Sequence, residues 1–174
     1  MAGEVLLPAL LAAAAILVLA GGAKLREPAP AIRFAGTLGI PLPGMFVRAA
    51  ALVEILVGVA ALFRPRPAAI AIALLFVLFT GLVARQLRRG AGIPCGCLGA
   101  REVAPSRLHL FLNGACVCVA CLAAVAPPPA FVTFAAARPL AAVLVGLTAV
   151  AVALLSQASL EFAPTLSAWQ GGRA

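Results

Sequence analysis

Five apolar runs, each near the length needed to cross a bilayer and each closed by charge, glycine or proline, constrain this chain more than any other feature. They lie at 5–22, 45–63, 68–87, 108–126 and 139–160. About 30 Å of hydrocarbon takes roughly 17 to 25 helical residues, which is what these runs supply. Their connections hold most of the charges and prolines: Lys24, Arg26, Glu27, Pro28 and Pro30 after the first, Arg64-Pro65-Arg66-Pro67 after the second, Pro127-Pro128-Pro129 after the fourth. The expected fold is therefore all-α, a polytopic transmembrane helical bundle with a four-helix core and a fifth, C-terminal transmembrane helix, forming a single membrane domain over 1–174.

The intervening pieces are read by the same rules. The first run is expected to stop at Gly21-Gly22. Residues 31–44 are too short and broken to cross, so they read as a short surface helix and a proline-rich turn. The tail with Glu161, Pro164 and Trp169 reads as frayed or laid on the membrane surface, where tryptophan is favoured. Met1 to Glu4 lack the positive segment of a secretory signal, so the first run is expected to remain as a membrane helix.

The chain is 64% hydrophobic and only 10% charged, against about 25% charge in ordinary soluble domains. The net charge of +8 punctuates the apolar runs and forms no single basic face. It fits anionic lipid headgroups and argues against a nucleic-acid partner. Lys24, Arg26, Arg88 and Arg89 read as interfacial bases. If the amino terminus were inside, most of the Lys and Arg would lie outside. The positive-inside rule alone therefore puts the 88–107 loop in the cytoplasm.

That loop carries Cys95-Gly96-Cys97, preceded by Gly92-Ile93-Pro94 and flanked by arginines. Glycine and proline allow a sharp turn that exposes both sulfurs, and exchange requires a thiolate to reach a disulfide sulfur directly. A bond between cysteines two apart closes a small, strained ring that is readily reduced. The pair reads as a redox-active site, with a structural disulfide and a metal site as alternatives. Zinc would need four ligands. Cys95, Cys97, His109 and Glu102 match no common closed spacing, so no metal is assigned.

Inside the runs the polar residues are few. Glu54 lies well within the second, where a carboxylate is costly and normally faces the bundle interior with a partner. Asn113 and His109 on the fourth run, or Lys24 and Arg26 beside the first, are its candidate partners. Glu54, His109 and Asn113 are candidates for a proton or quinone site, or for a polar clasp between helices. Cys116, Cys118 and Cys121 on the fourth run read first as packing residues and second as relay thiols.

These fragments, taken in order, resemble the MauE-like membrane proteins of the wider DoxX-like group. The resemblance is carried by Gly21-Gly22-Ala23-Lys24-Leu25-Arg26-Glu27-Pro28, Leu42-Pro43, Ala51-Leu52-Val53-Glu54-Ile55-Leu56-Val57-Gly58, Cys95-Gly96-Cys97-Leu98-Gly99 and Asn113, across roughly the first 125 residues. Leu98 and Leu112 depart from it, where Phe and Arg are common. The resemblance implies a helical bundle in the bacterial inner membrane. Its cysteine pair would face the extracytoplasmic space and assist maturation of disulfide-containing periplasmic enzymes such as methylamine dehydrogenase. That orientation opposes the charge count.

Two readings of function follow. In the first, the chain is a thiol–disulfide oxidoreductase or accessory factor acting through Cys95 and Cys97 on a thioredoxin-like or secreted disulfide-containing protein, with a membrane quinone as candidate cofactor. In the second, it is a non-catalytic scaffold or lipid- or quinone-binding subunit. Phosphate-binding glycine motifs, histidine clusters and serine–histidine–acid sets are absent from the sequence.

Overall fold

The computed structural model describes the backbone of residues 2–89 and 106–171 and the side chains of residues 3–89 and 106–160. Cys95 and Cys97, with every expectation attached to them, lie outside the described residues. The regular structure among the described residues is entirely helical: α1 (Ala2–Arg26), α2 (Ala29–Thr37), α3 (Gly44–Ala60), α4 (Pro65–Arg88), α5 (Arg107–Val125), α6 (Phe131–Ala137) and α7 (Pro139–Gly171). Helices α1, α4, α5 and α7 are long and apolar enough to cross a membrane. Helix α3, at 17 residues, rises only about 25 Å.

Chain direction follows from which ends meet. Gly21 of α1 lies against Ala51 and Glu54 of α3, whereas Gly58 lies against Ala14 and Val18, so α3 runs antiparallel to α1. Arg85 and Arg89, at the end of α4, reach the carbonyls of Leu38 and Thr37 at the end of α2. This places the end of α4 beside α2. Gly3 abuts Pro127 and Pro128 beyond α5, and Glu4 pairs with Arg138 just before α7. Helices α1, α4 and α7 thus run one way, and α3 and α5 the other.

Helix α1 is the most enclosed of the crossing-length helices and α7 the least. Leu10, Leu17, Ile72 and Phe76 form the centre of the core, with alanines of α1, α4 and α5 letting the helices draw close around them. In hydrocarbon, association of this kind rests on close packing of small residues. Leu140, Leu144, Leu147 and Leu155 of α7 point outward, as the lipid face of a peripheral helix should.

Three local features depart from expectation. Helix α1 continues through Gly21-Gly22 to Arg26. Glycine weakens an isolated helix by about 1 kcal/mol, but at Gly21 its missing side chain admits α3: a Cβ there would sit 2.7 Å from the Ala51 carbonyl oxygen. The effective stop is Glu27-Pro28, since proline disfavours helix in the residue before it. Helix α2 is no surface ornament, because Pro30, Phe34 and Ala35 are buried. Phe34 and Leu38 pack on Val83 of α4. Helix α7 continues through the expected tail to Gly171, so that the tail's backbone is helical there and not frayed, because extending a formed helix is much easier than starting one.

The short helix α6 was not anticipated. It follows the three prolines and docks on the α3–α4 turn, where the Val132 N–H donates to the Leu62 carbonyl at 3.3 Å. At the other end of the bundle the chain turns from α2 into α3 through Gly39, at φ 77°. That is left-handed backbone, which glycine adopts without steric cost. Pro43, in extended conformation, then caps α3.

Candidate functional site

The buried face of α3 is Val47, Ala51, Glu54 and Gly58, spaced by four, three and four residues so that all face one side. On α1, Gly21 and Lys24 are three apart and likewise share a face. Because Gly21 lets the helices touch at Ala51 and Glu54, Lys24 is brought alongside the carboxylate. Its Nζ donates to Glu54 Oε1 at 2.6 Å and Oε2 at 2.7 Å. Lys24 is 7% exposed and Glu54 3%. Among the sequence candidates, the partner of Glu54 is therefore Lys24. The lysine, also read as an interfacial base, is withdrawn into the bundle.

Both charges are satisfied. An ammonium has three N–H groups, and Glu54 takes two. The Phe79 ring stands beside the ammonium, its centroid 4.9 Å from Nζ, a cation–π arrangement. Phe79 in turn meets Phe76 edge-on at 6.1 Å, which ties the ion pair to the aromatic core of α4.

The pair forms part of the wall of a cavity of about 350 Å³ enclosed by α2, α3 and α4. Phe34, Phe46 and Phe79 supply aromatic wall. Ile40, Leu42, Phe46 and Leu78 line it while also being exposed, so the mouth is apolar. Among the described residues, Lys24 and Glu54 are the only charged ones that line it.

The other candidates do not gather here. His109 is buried at the start of α5, where its Nδ1 accepts the Ser106 backbone N–H at 3.2 Å and lies 3.0 Å from Ser106 Oγ. This is a reciprocal helix cap. A ring nitrogen that accepts carries no proton, so the proton of the neutral ring is on Nε2. Asn113 is buried and borders a small gap beside Ile16, Phe76 and Ser156. Neither residue lines the cavity that holds Glu54. Glu54 thus meets Lys24, while His109 and Asn113 lie away from that cavity.

Cys116 is half-buried against the core, whereas Cys118 and Cys121 are exposed on α5, and all three are free thiols. Arg26 and Arg88 are exposed. Arg89 Nη1 donates to the Thr37 carbonyl at 2.9 Å, and Thr37 Oγ1 lies 3.2 Å from Gln86 Oε1. The end of α2 is thereby strapped to α4. The cavity walls carried no signal in the sequence, because a phenylalanine within an apolar run looks like any other. The spacing of Gly21 and Lys24 against Ala51, Glu54 and Gly58 is a pattern from which the clasp could have been read.

A family model described as methylamine utilisation protein MauE matches residues 3–127, which span α1 to α5, the ion pair and the cysteine pair. No curated protein and no solved structure matches the chain.

Proposed function

Since the chain belongs to the MauE family, we propose that this multi-pass membrane protein is a thiol–disulfide accessory factor for an extracytoplasmic partner, acting through Cys95 and Cys97. The observation that carries the reading is a CxC pair inside the family-matched part of a helical membrane bundle. A partner thiolate attacks the Cys95–Cys97 disulfide, forming a mixed disulfide and releasing one loop thiolate. The partner's second thiolate then displaces the other. The partner gains a disulfide, and the loop gains two electrons and, as thiols, two protons.

We place the pair on the outer side of the bacterial inner membrane, against the charge count. Persistent protein disulfides belong outside the reducing cytosol, and interfacial arginines can extend their stems along apolar surface. The partner on this reading is a thioredoxin-like protein or a secreted enzyme such as methylamine dehydrogenase.

Intact cells treated with a membrane-impermeant thiol reagent, with and without prior reduction, test both parts by mass spectrometry. Reduction-dependent labelling of Cys95 and Cys97 from outside is expected, and Cys97→Ser should accumulate a mixed disulfide with the partner. Labelling that needs a breached membrane and no reductant would overturn the proposal. The scaffold reading is favoured by the buried Lys24–Glu54 clasp. It predicts a loop whose disulfide, if formed, resists thioredoxin-like proteins.

A further inference from the structure

The described residues enclose two apolar cavities of similar size and different chemistry. One, about 350 Å³, is bounded by α1, α3, α6 and α7, and every described side chain that lines it is apolar. The other, also about 350 Å³, holds the Lys24–Glu54 pair in its wall. Both fall at the small end of the range for small-molecule sites. An apolar chain reads only volume and would enter either. The second cavity can also read a head group.

We infer that the cavity between α2, α3 and α4 is a binding site for the head of a neutral, carbonyl-bearing membrane amphiphile of the quinone class, seated against Lys24 and Glu54. Charge is the first argument. Lys24 and Glu54 neutralise one another, so an ionic head would enter a low-dielectric site without a counter-charge. No arginine is among the described residues that line the cavity, which disfavours a phosphate there. Donor chemistry is the second. Glu54 takes two of the three N–H groups of Lys24; among the described residues a further neighbour of Nζ is the Phe79 ring, a weak acceptor, and a carbonyl oxygen is the better partner for the third. Shape is the third. Phe34, Phe46 and Phe79 offer flat faces to a flat ring. The mouth at Ile40, Leu42 and Leu78 is apolar, so entry is from lipid and a hydrocarbon tail can remain outside.

The inference concerns binding alone and stands apart from the loop thiols. Its test therefore uses the full chain carrying Cys95→Ser and Cys97→Ser, purified in detergent, so that its failure leaves the disulfide proposal untouched. The probes are a decyl-substituted benzoquinone for equilibrium binding and its azido derivative for photolabelling. One site per chain is expected, with labelled peptides from α2, α3 and α4. Ala50 lines the cavity from an exposed position, so Ala50→Phe fills it without disturbing the core and should weaken binding at least about tenfold. Val150→Phe fills the all-apolar cavity and should leave binding unchanged. The paired substitution Lys24→Met with Glu54→Leu keeps the apolar volume but removes the head-group donor, and should weaken quinone binding by a similar factor. Labelling centred on α6 and α7, full affinity in Ala50→Phe, or a co-purified phospholipid in the α2–α3–α4 cavity that the quinone cannot displace would each overturn the inference.

Discussion

Helix α1 carries an ion pair towards each end, and the two pairs show how surroundings set the worth of the same chemistry. Near its C-terminus, Lys24 and Glu54 meet at 2.6 Å with 8% and 4% of their side chains exposed. Near its N-terminus, Glu4 and Arg138 meet at 3.4 Å with 61% and 45% exposed, in the order Arg138 then Glu4. Water and headgroups can solvate the second pair whether or not it forms. The first has no such alternative: separating it would leave two charges in an apolar interior. The buried pair is therefore better understood as a specificity device than as a source of stability. Only one rotation and one depth of α3 against α1 satisfy both groups.

The largest effect should come from removing the close approach on which the buried pair depends. A Cβ at Gly58 would stand 2.6 Å from Val18 Cγ2 and 2.8 Å from the Ala14 carbonyl oxygen. The backbone of a central helix cannot yield as a side chain can. Gly58→Leu should prevent the folded bundle from accumulating, read as loss of monodisperse protein in detergent. Normal yield and thermal stability in that variant would mean that α1 and α3 pack less tightly than described.

Next in size is Lys24→Met alone, which leaves Glu54 buried without its cation. A loss of about 3–5 kcal/mol is expected in reversible denaturation, as for other broken buried pairs. Adding Glu54→Leu should recover most of it, because a well-packed apolar pair often matches a buried ion pair. If the double variant is no better than the single, the pair contributes net stability and the specificity account fails.

The smallest effect belongs to the exposed pair. Arg138→Ala should cost less than about 1 kcal/mol. The contribution of the Glu4–Arg138 pair should also vanish in 1 M salt, where screening falls to about 3 Å. A double-mutant cycle at low and high salt checks both points. Salt sensitivity at Lys24–Glu54 instead would show that water reaches the buried pair.

Particular residues show how far the sequence could be read. Glu54 stood out because a carboxylate in an apolar run has to be explained, and Lys24 was among its possible partners. His109 and Asn113 were equally possible, since helical spacing says which residues share a face but not which neighbour that face meets. His109 caps its own helix, a role that Ser106 three residues earlier made visible in principle. Gly21-Gly22 looked like a stop because glycine disfavours isolated helix. The close contact with α3 reverses that reading.

The helical membrane class, the crossing lengths and the proline breaks were determined by the sequence alone, because hydropathy and backbone chemistry belong to contiguous segments. The cation that meets Glu54, the burial of α2 and the cavity walled by Phe34, Phe46 and Phe79 were decided only by the tertiary structure. These depend on how far one helix is rotated and sunk against another, and that is set by small residues such as Gly21 and Gly58, which meet α3 and α1 from distant parts of the chain.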